Sequence, residues 1–222
     1  MIYNQFEIAV STSRLQKYLN ACGGDCRKAM KLYKANVRLS QKMFGVMSVF
    51  EVVLRNSIDK YYIGIKGNSW LADAIDEATG YLNNVGCEHS LHSVNEIIHN
   101  LGIKYTHDNV IAALSFGFWT FQFGSKEYAA AGNTLLAAFP SLPIGKHQKD
   151  VYKKLQSINQ IRNRIAHHEP VCFNAYGFIS TNYVLTKYNQ IMELLVWLGY
   201  KPRKLLFGFD GVKKEIDFIN RL

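Results

Sequence analysis

The chain is poor in the residues that staple or break small folds. Its 222 residues include only four cysteines, Cys22, Cys26, Cys87 and Cys172, and four prolines. Four scattered thiols are too few for a disulfide framework, and no stretch with the make-up of a secretory signal accompanies them; the expected compartment is a reducing cytoplasm. Cys22 and Cys26 with His89 and His92 match no standard zinc spacing, so neither a metal nor another cofactor is expected. Apolar runs such as Val46 to Leu54 stop well short of the roughly 20 residues that cross a bilayer, which argues against a membrane partner. Acidic residues are scarce too, at 17 against 26 Lys and Arg, for a net charge of +9. They are scattered, with no paired-carboxylate centre. A surface biased this way attracts polyanions, and nucleic acid is the first partner to consider.

What the chain has in quantity is apolar content, 48% of its residues, enough to bury a core. A single domain is expected over residues 1–222. Pro140, Pro143 and Gly145 punctuate it, separating an N-terminal helical part at about 11–139 from a C-terminal helical part at about 146–222. Ser11, Thr12 and Ser13 offer N-caps to a short helix that Gly23 and Gly24 stop, and Asp25 can cap the next. From Asp25 to about Ile65 no proline occurs. Ala29, Leu32, Leu39, Met43, Phe50, Leu54 and Ile58 recur there at helical steps. Such a length exceeds an ordinary globular helix, so a break is expected near Ala35 to Ser40, with a second helix from about Ser40 to Ile63. Further helices are expected at Glu88–Asn100, Thr106–Ser115, Gln148–His168 and Ser180–Leu198, then a short one toward Leu222. The fold class is mainly α, a helical bundle with irregular connecting loops.

The densest chemistry lies in Ile161-Arg162-Asn163-Arg164-Ile165-Ala166-His167-His168-Glu169-Pro170, at the end of one of these helices. Residues four apart share a helix face, which pairs Asn163 with His167 and Arg164 with His168; Arg162 lies about 140° around from His167. Imidazole can carry a proton to and from a reacting oxygen, and a guanidinium can hold two phosphate oxygens at once. Together these groups suffice to cleave RNA by attack of its own 2′-hydroxyl, without a metal. Cations and histidines in a last helical turn also cap free carbonyls and suit the helix dipole with no catalysis at all. Basic residues cluster again in Arg27, Lys28, Lys31, Lys34, Arg38 and Lys42, and in Lys201, Arg203, Lys204, Lys213 and Lys214. Each cluster reads either as an RNA-facing patch or as a solvated helix face.

Three stretches, taken together and in order, resemble the Abi-like family of bacterial phage-defence proteins, within the HEPN superfamily of helical ribonucleases. They are Phe50-Glu51-Val52-Val53-Leu54-Arg55-Asn56-Ser57-Ile58-Asp59, Leu114-Ser115-Phe116-Gly117-Phe118-Trp119, and Arg162 through Pro170. The last follows the superfamily pattern of an arginine, a polar residue, three further residues and a histidine. The resemblance implies a HEPN-like helical bundle, a metal-independent endoribonuclease of abortive infection leaving a 2′,3′-cyclic phosphate and a 5′-hydroxyl, and a homodimer that pairs two motif helices across one cleft. It implies catalytic positions at Arg162, Asn163 and His167. His168 offers the alternative five-residue spacing. Arg164, Glu51, Arg55 and Asn56 are candidates for binding RNA or supporting the motif helix; Glu51 and Arg55, four apart, also read as an ordinary intrahelical ion pair. Glu169 stands where some HEPN toxins carry a tyrosine, so the resemblance does not extend to that branch. A module that holds a structured or noncoding RNA without cutting it is the alternative, and a regulatory noncoding RNA is a further partner to consider.

Overall fold

A computed structural model describes residues 2–222. Among them 71% are helical, and the one β feature is an isolated antiparallel bridge between Phe173 and Ile179. The protein is mainly α. Twelve α-helices follow one another among the described residues: Tyr3–Val10 (α1), Thr12–Ala21 (α2), Cys26–Lys66 (α3), Trp70–Ile75 (α4), Glu88–Leu101 (α5), His107–Ala113 (α6), Phe116–Phe121 (α7), Ser125–Ala130 (α8), Gln148–Ala166 (α9), Asn182–Trp197 (α10), Pro202–Leu205 (α11) and Val212–Asn220 (α12).

Local signals place five of the helix starts. The Ser11 hydroxyl accepts the Arg14 N–H at 3.4 Å to start α2, and Asp25 Oδ1 accepts the Lys28 N–H at 2.9 Å to start α3. Thr106 and Ser115 cap α6 and α7 in the same way. At α9 the Asp150 carboxylate reaches back to the His147 N–H at 2.9 Å, which satisfies an otherwise free donor of the first turn.

The expected break in the long N-terminal helix does not occur: α3 runs unbroken for 41 residues. Average helix length lost to packing. Ala29, Leu32, Ala35, Leu39, Met43, Val46, Phe50, Leu54, Ile58 and Tyr62 are all fully buried, so one apolar seam continues straight through the segment expected to bend. Asn36, in the middle of that segment, is buried with its side chain employed as a hydrogen-bond acceptor.

The chain divides into two compact units. The first comprises Met1–Ser48, Gln160–Met192 and Arg203–Leu222; the second comprises Val49–Asn159 and Glu193–Pro202. In the first, an aromatic chain knits α1, α2 and α3 to the segment after α9: Phe6 meets Tyr33 at 5.4 Å, Tyr33 meets Tyr18 at 5.2 Å, and Tyr18 meets Phe173 at 5.0 Å between centroids. The edge-to-face geometry suits the ring quadrupoles. Asn36 Oδ1 accepts the buried Val171 N–H at 2.9 Å, tying the same segment to α3.

In the second unit, Phe116, Phe118, Trp119 and Phe123 are buried, so these rings pack a core and are withheld from solvent. Asp59 takes the Trp70 indole N–H at 2.7 Å and pairs with His107 at 2.7 Å, joining α3 to α4 and α6. The turn at Pro140 to Gly145 lies inside this unit, where the Ser141 N–H bonds the Trp197 carbonyl at 2.9 Å.

Candidate active site

The motif helix α9 stops at Ala166, two residues earlier than its periodicity suggests, and the way it stops shapes the site. The His168 N–H bonds the Ile165 carbonyl at 3.0 Å, and the Glu169 N–H reaches back to the Arg164 carbonyl at 2.8 Å. This pair of crossed bonds is the Schellman ending, which requires a left-handed residue at the first position past the cap. His168 fills it with φ 56°. A position usually given to glycine therefore carries an imidazole. The expected pairing of Arg164 and His168 on one face fails for this reason, because His168 no longer follows the helical path.

Arg164 has a structural task. Its Nε bonds Glu169 at 3.2 Å, its Nη2 bonds the Pro170 carbonyl at 2.6 Å, and its guanidinium lies 5.0 Å from the Tyr183 ring centroid. From α2, Arg14 donates to the His168 carbonyl at 3.1 Å. Two guanidiniums thus hold the turn from outside the helix, where the free carbonyls of a helix end favour cations.

Arg162, His167 and His168 line a groove of about 1050 Å³ in the first unit. Its other walls are Ser11, Ser13, Arg14 and Lys17 around α2, Tyr33, Ser40, Gln41 and Phe44 from α3, and Glu169 and Pro170 beyond the motif helix. Three cations, Arg14, Lys17 and Arg162, face one carboxylate, and that carboxylate is already paired with Arg164. The groove is electropositive with aromatic sides. Phosphate and stacked bases are the chemistry such a surface accepts.

Arg162 is half-buried, with Nη1 at 3.5 Å from Asn163 Oδ1, too long for a strong hydrogen bond and therefore available to a ligand. Both histidines are exposed, and among the described residues neither ring takes part in a hydrogen bond. Asn163 is exposed and does not line the groove, so the motif separates into Arg162, His167 and His168 facing it and Asn163 and Arg164 outside it.

Glu51, Arg55 and Asn56 belong to the second unit. There Arg55 donates to the Ala112 carbonyl at 3.2 Å, which closes the end of α6, while Asn56 is exposed and Glu51 half-buried.

Arg14 and Lys17 escaped the sequence reading because two cations three apart on a short polar helix look like any solvated face. Val37, which also lines the groove, and Phe44 did leave a signal. They stand off the buried stripe of α3, seven apart, and remain 38% and 49% exposed. Beneath the groove, burial pushes the Tyr18 hydroxyl well above the ordinary phenol range, followed in effect by Cys172 and Tyr33, with Arg14 opposing; burial likewise pushes the Cys172 thiol up to about 12. Neither group ionises near neutral pH.

No protein family matches the chain, and neither a curated protein nor a solved structure is recognisably similar to it. No helix among the described residues is long and apolar enough to cross a membrane.

Proposed function

We propose that the protein is a metal-independent RNA endonuclease of the Abi-like HEPN type, acting in the cytoplasm in phage defence. The observation that carries this reading is the groove itself: Arg162, His167 and His168 open into one electropositive cavity with Arg14 and Lys17. In the reaction an imidazole takes the 2′-hydroxyl proton as that oxygen bonds phosphorus. The bond from phosphorus to the 5′-oxygen breaks, and an imidazolium protonates the departing oxygen. Arg162 neutralises the charge that builds on the non-bridging oxygens. The products are a 2′,3′-cyclic phosphate and a 5′-hydroxyl.

The freedom of both rings supports a homodimeric cleft. A proton carrier needs an orienting partner, and among the described residues no hydrogen bond supplies one; a second motif facing the first would provide it. RNA retention without cleavage is the competing reading, favoured by the helix-ending geometry of His168, which accounts for that residue's placement without catalysis.

The test is incubation of purified wild type and of Arg162→Ala, His167→Ala and His168→Ala variants with cellular RNA in EDTA, followed by analysis of the RNA ends. Cyclic phosphate ends that vanish in Arg162→Ala and His167→Ala are expected. Intact RNA with the wild type, both in vitro and in cells under phage challenge, would remove the nuclease reading. Retained binding without cutting would favour the competing one.

A further inference from the structure

The surface between α11 and α12 carries a combination of groups that the groove does not use. Phe207 and Phe209 flank Gly208 and are 86% and 57% exposed, an unusual placement for two phenyl rings on one short loop. Backbone hydrogen bonds close the loop. Phe207 N–H bonds the Lys204 carbonyl at 3.4 Å, and Phe209 and Asp210 N–H groups both reach the Leu206 carbonyl, at 3.0 and 3.1 Å. Leu206 and Val212 anchor its two sides in the core, and Gly208 takes φ 86° at the apex. Four exposed cations, Arg203, Lys204, Lys213 and Lys214, surround the rings in sequence. Asp210 is the carboxylate among them, and it accepts the Tyr188 hydroxyl while Lys213 lies 5.8 Å from that tyrosine's ring centroid.

We propose that this loop is a second RNA-binding surface, which takes unpaired RNA by stacking bases on Phe207 and Phe209 and holding phosphates with Lys204, Lys213 and Lys214. Exposed rings interleaved with cations are the groups by which sequence-tolerant single-strand binding is built. A protein partner suits the patch less well, because the buried centre of a protein interface is depleted in charge. A membrane surface suits it less well too. Interfacial anchoring draws on the broad apolar face of an amphipathic helix, and that face of α12, Val212, Ile216 and Ile219, is buried in the fold. The proposal does not require that the groove cut RNA.

The experiment measures binding of a fluorescein-labelled oligouridine 20-mer and of an equally long RNA duplex to the full chain, in a His167→Ala background in which the proposed cleavage is absent. Phe207→Ala/Phe209→Ala is expected to weaken oligouridine binding by about tenfold or more and to change duplex binding far less. Lys204→Ala/Lys214→Ala is expected to make log K less steep against log salt by about 1.4 for the single strand, two phosphates' worth of released counterions. Both pairs lie on exposed positions, and unchanged thermal unfolding checks that the fold survives. Unaltered oligouridine affinity in the Phe pair overturns the proposal. So does binding of the wild type to vesicles containing phosphatidylserine, lost in the Phe pair, without binding to oligouridine. Cleavage of RNA by the chain with His167 restored is scored separately, so failure of the loop and failure of the nuclease reading are distinguishable.

Discussion

Replacing His168 by glycine separates the architectural role of this residue from any chemical one. Its φ of 56° costs an L-residue about 1–2 kcal/mol relative to the right-handed region. Glycine removes that strain and loses about 0.5–1 kcal/mol through its freer unfolded state. The two backbone bonds that end the helix, at 3.0 and 2.8 Å, involve no atom of the imidazole and survive the change. The Arg14 bond is to the His168 carbonyl and survives as well. The difference between these ranges is a net stabilisation of about 0–1.5 kcal/mol, centred near about 0.75 kcal/mol. At the centre of that range, a chain of this size shows a rise of about 1.5–3 °C in Tm. His168→Ala keeps the strain and should unfold with the wild type. Calorimetry or far-ultraviolet circular dichroism at one fixed protein concentration reads both variants, since dimerisation would make Tm concentration-dependent. A glycine variant that unfolds below the wild type, or together with the alanine variant, refutes the reasoning. If His168 also moves protons, the glycine variant gains stability and loses cleavage, and the two measurements diverge.

The two motif arginines should separate just as clearly. Arg164→Ala is expected to cost about 2 kcal/mol, the scale of hydrogen bonds to a charged group, whereas Arg162→Ala should stay within about 0.5 kcal/mol of wild type in urea unfolding; equal losses would contradict the division of labour. Asn36→Leu leaves the buried Val171 N–H without its acceptor and should lower stability by about 1–3 kcal/mol in the same assay, with no loss expected if that N–H finds another partner. The His147 N–H holds the Asp150 carboxyl below its ordinary value of 3.8, so its stabilisation is present above that value and is lost as pH falls through the lower folded value. Asp150→Asn should accordingly lie below the wild type at neutral pH and converge with it in acid; a gap that persists unchanged to low pH counts against the capping role. Iodoacetamide at pH 8, followed by mass spectrometry, should label Cys22 and Cys26 in the native protein and spare buried Cys87 and Cys172 until the chain unfolds, with rapid native labelling of Cys172 as the contrary result.

Much of the helical layout is legible in the sequence because its signals are local. The Ser11, Asp25 and Thr106 caps act within one turn of the helices they start, and the glycines at 23 and 24 act on the residues beside them. The unbroken length of α3 is not legible in the sequence, because its continuity comes from what packs on it. The same holds at the motif. Arg162 and Arg164 are two residues apart and chemically identical, yet one opens onto a groove while the other is taken by Glu169, Pro170 and Tyr183. Nothing in their spacing assigns those roles.

By itself, then, the sequence determined a mainly helical chain with a cationic surplus and a compact set of phosphate-holding and proton-carrying groups at one helix end. The tertiary structure alone decided which of those groups share a cavity. It turned His168 into the left-handed stop, moved Asn163 and Arg164 out of the groove, and brought in Arg14 and Lys17 from a helix more than a hundred residues away. The physical reason is range. Periodicity and capping are written within a turn or two of backbone, whereas a side chain's access to a groove depends on which distant segments bury its neighbours.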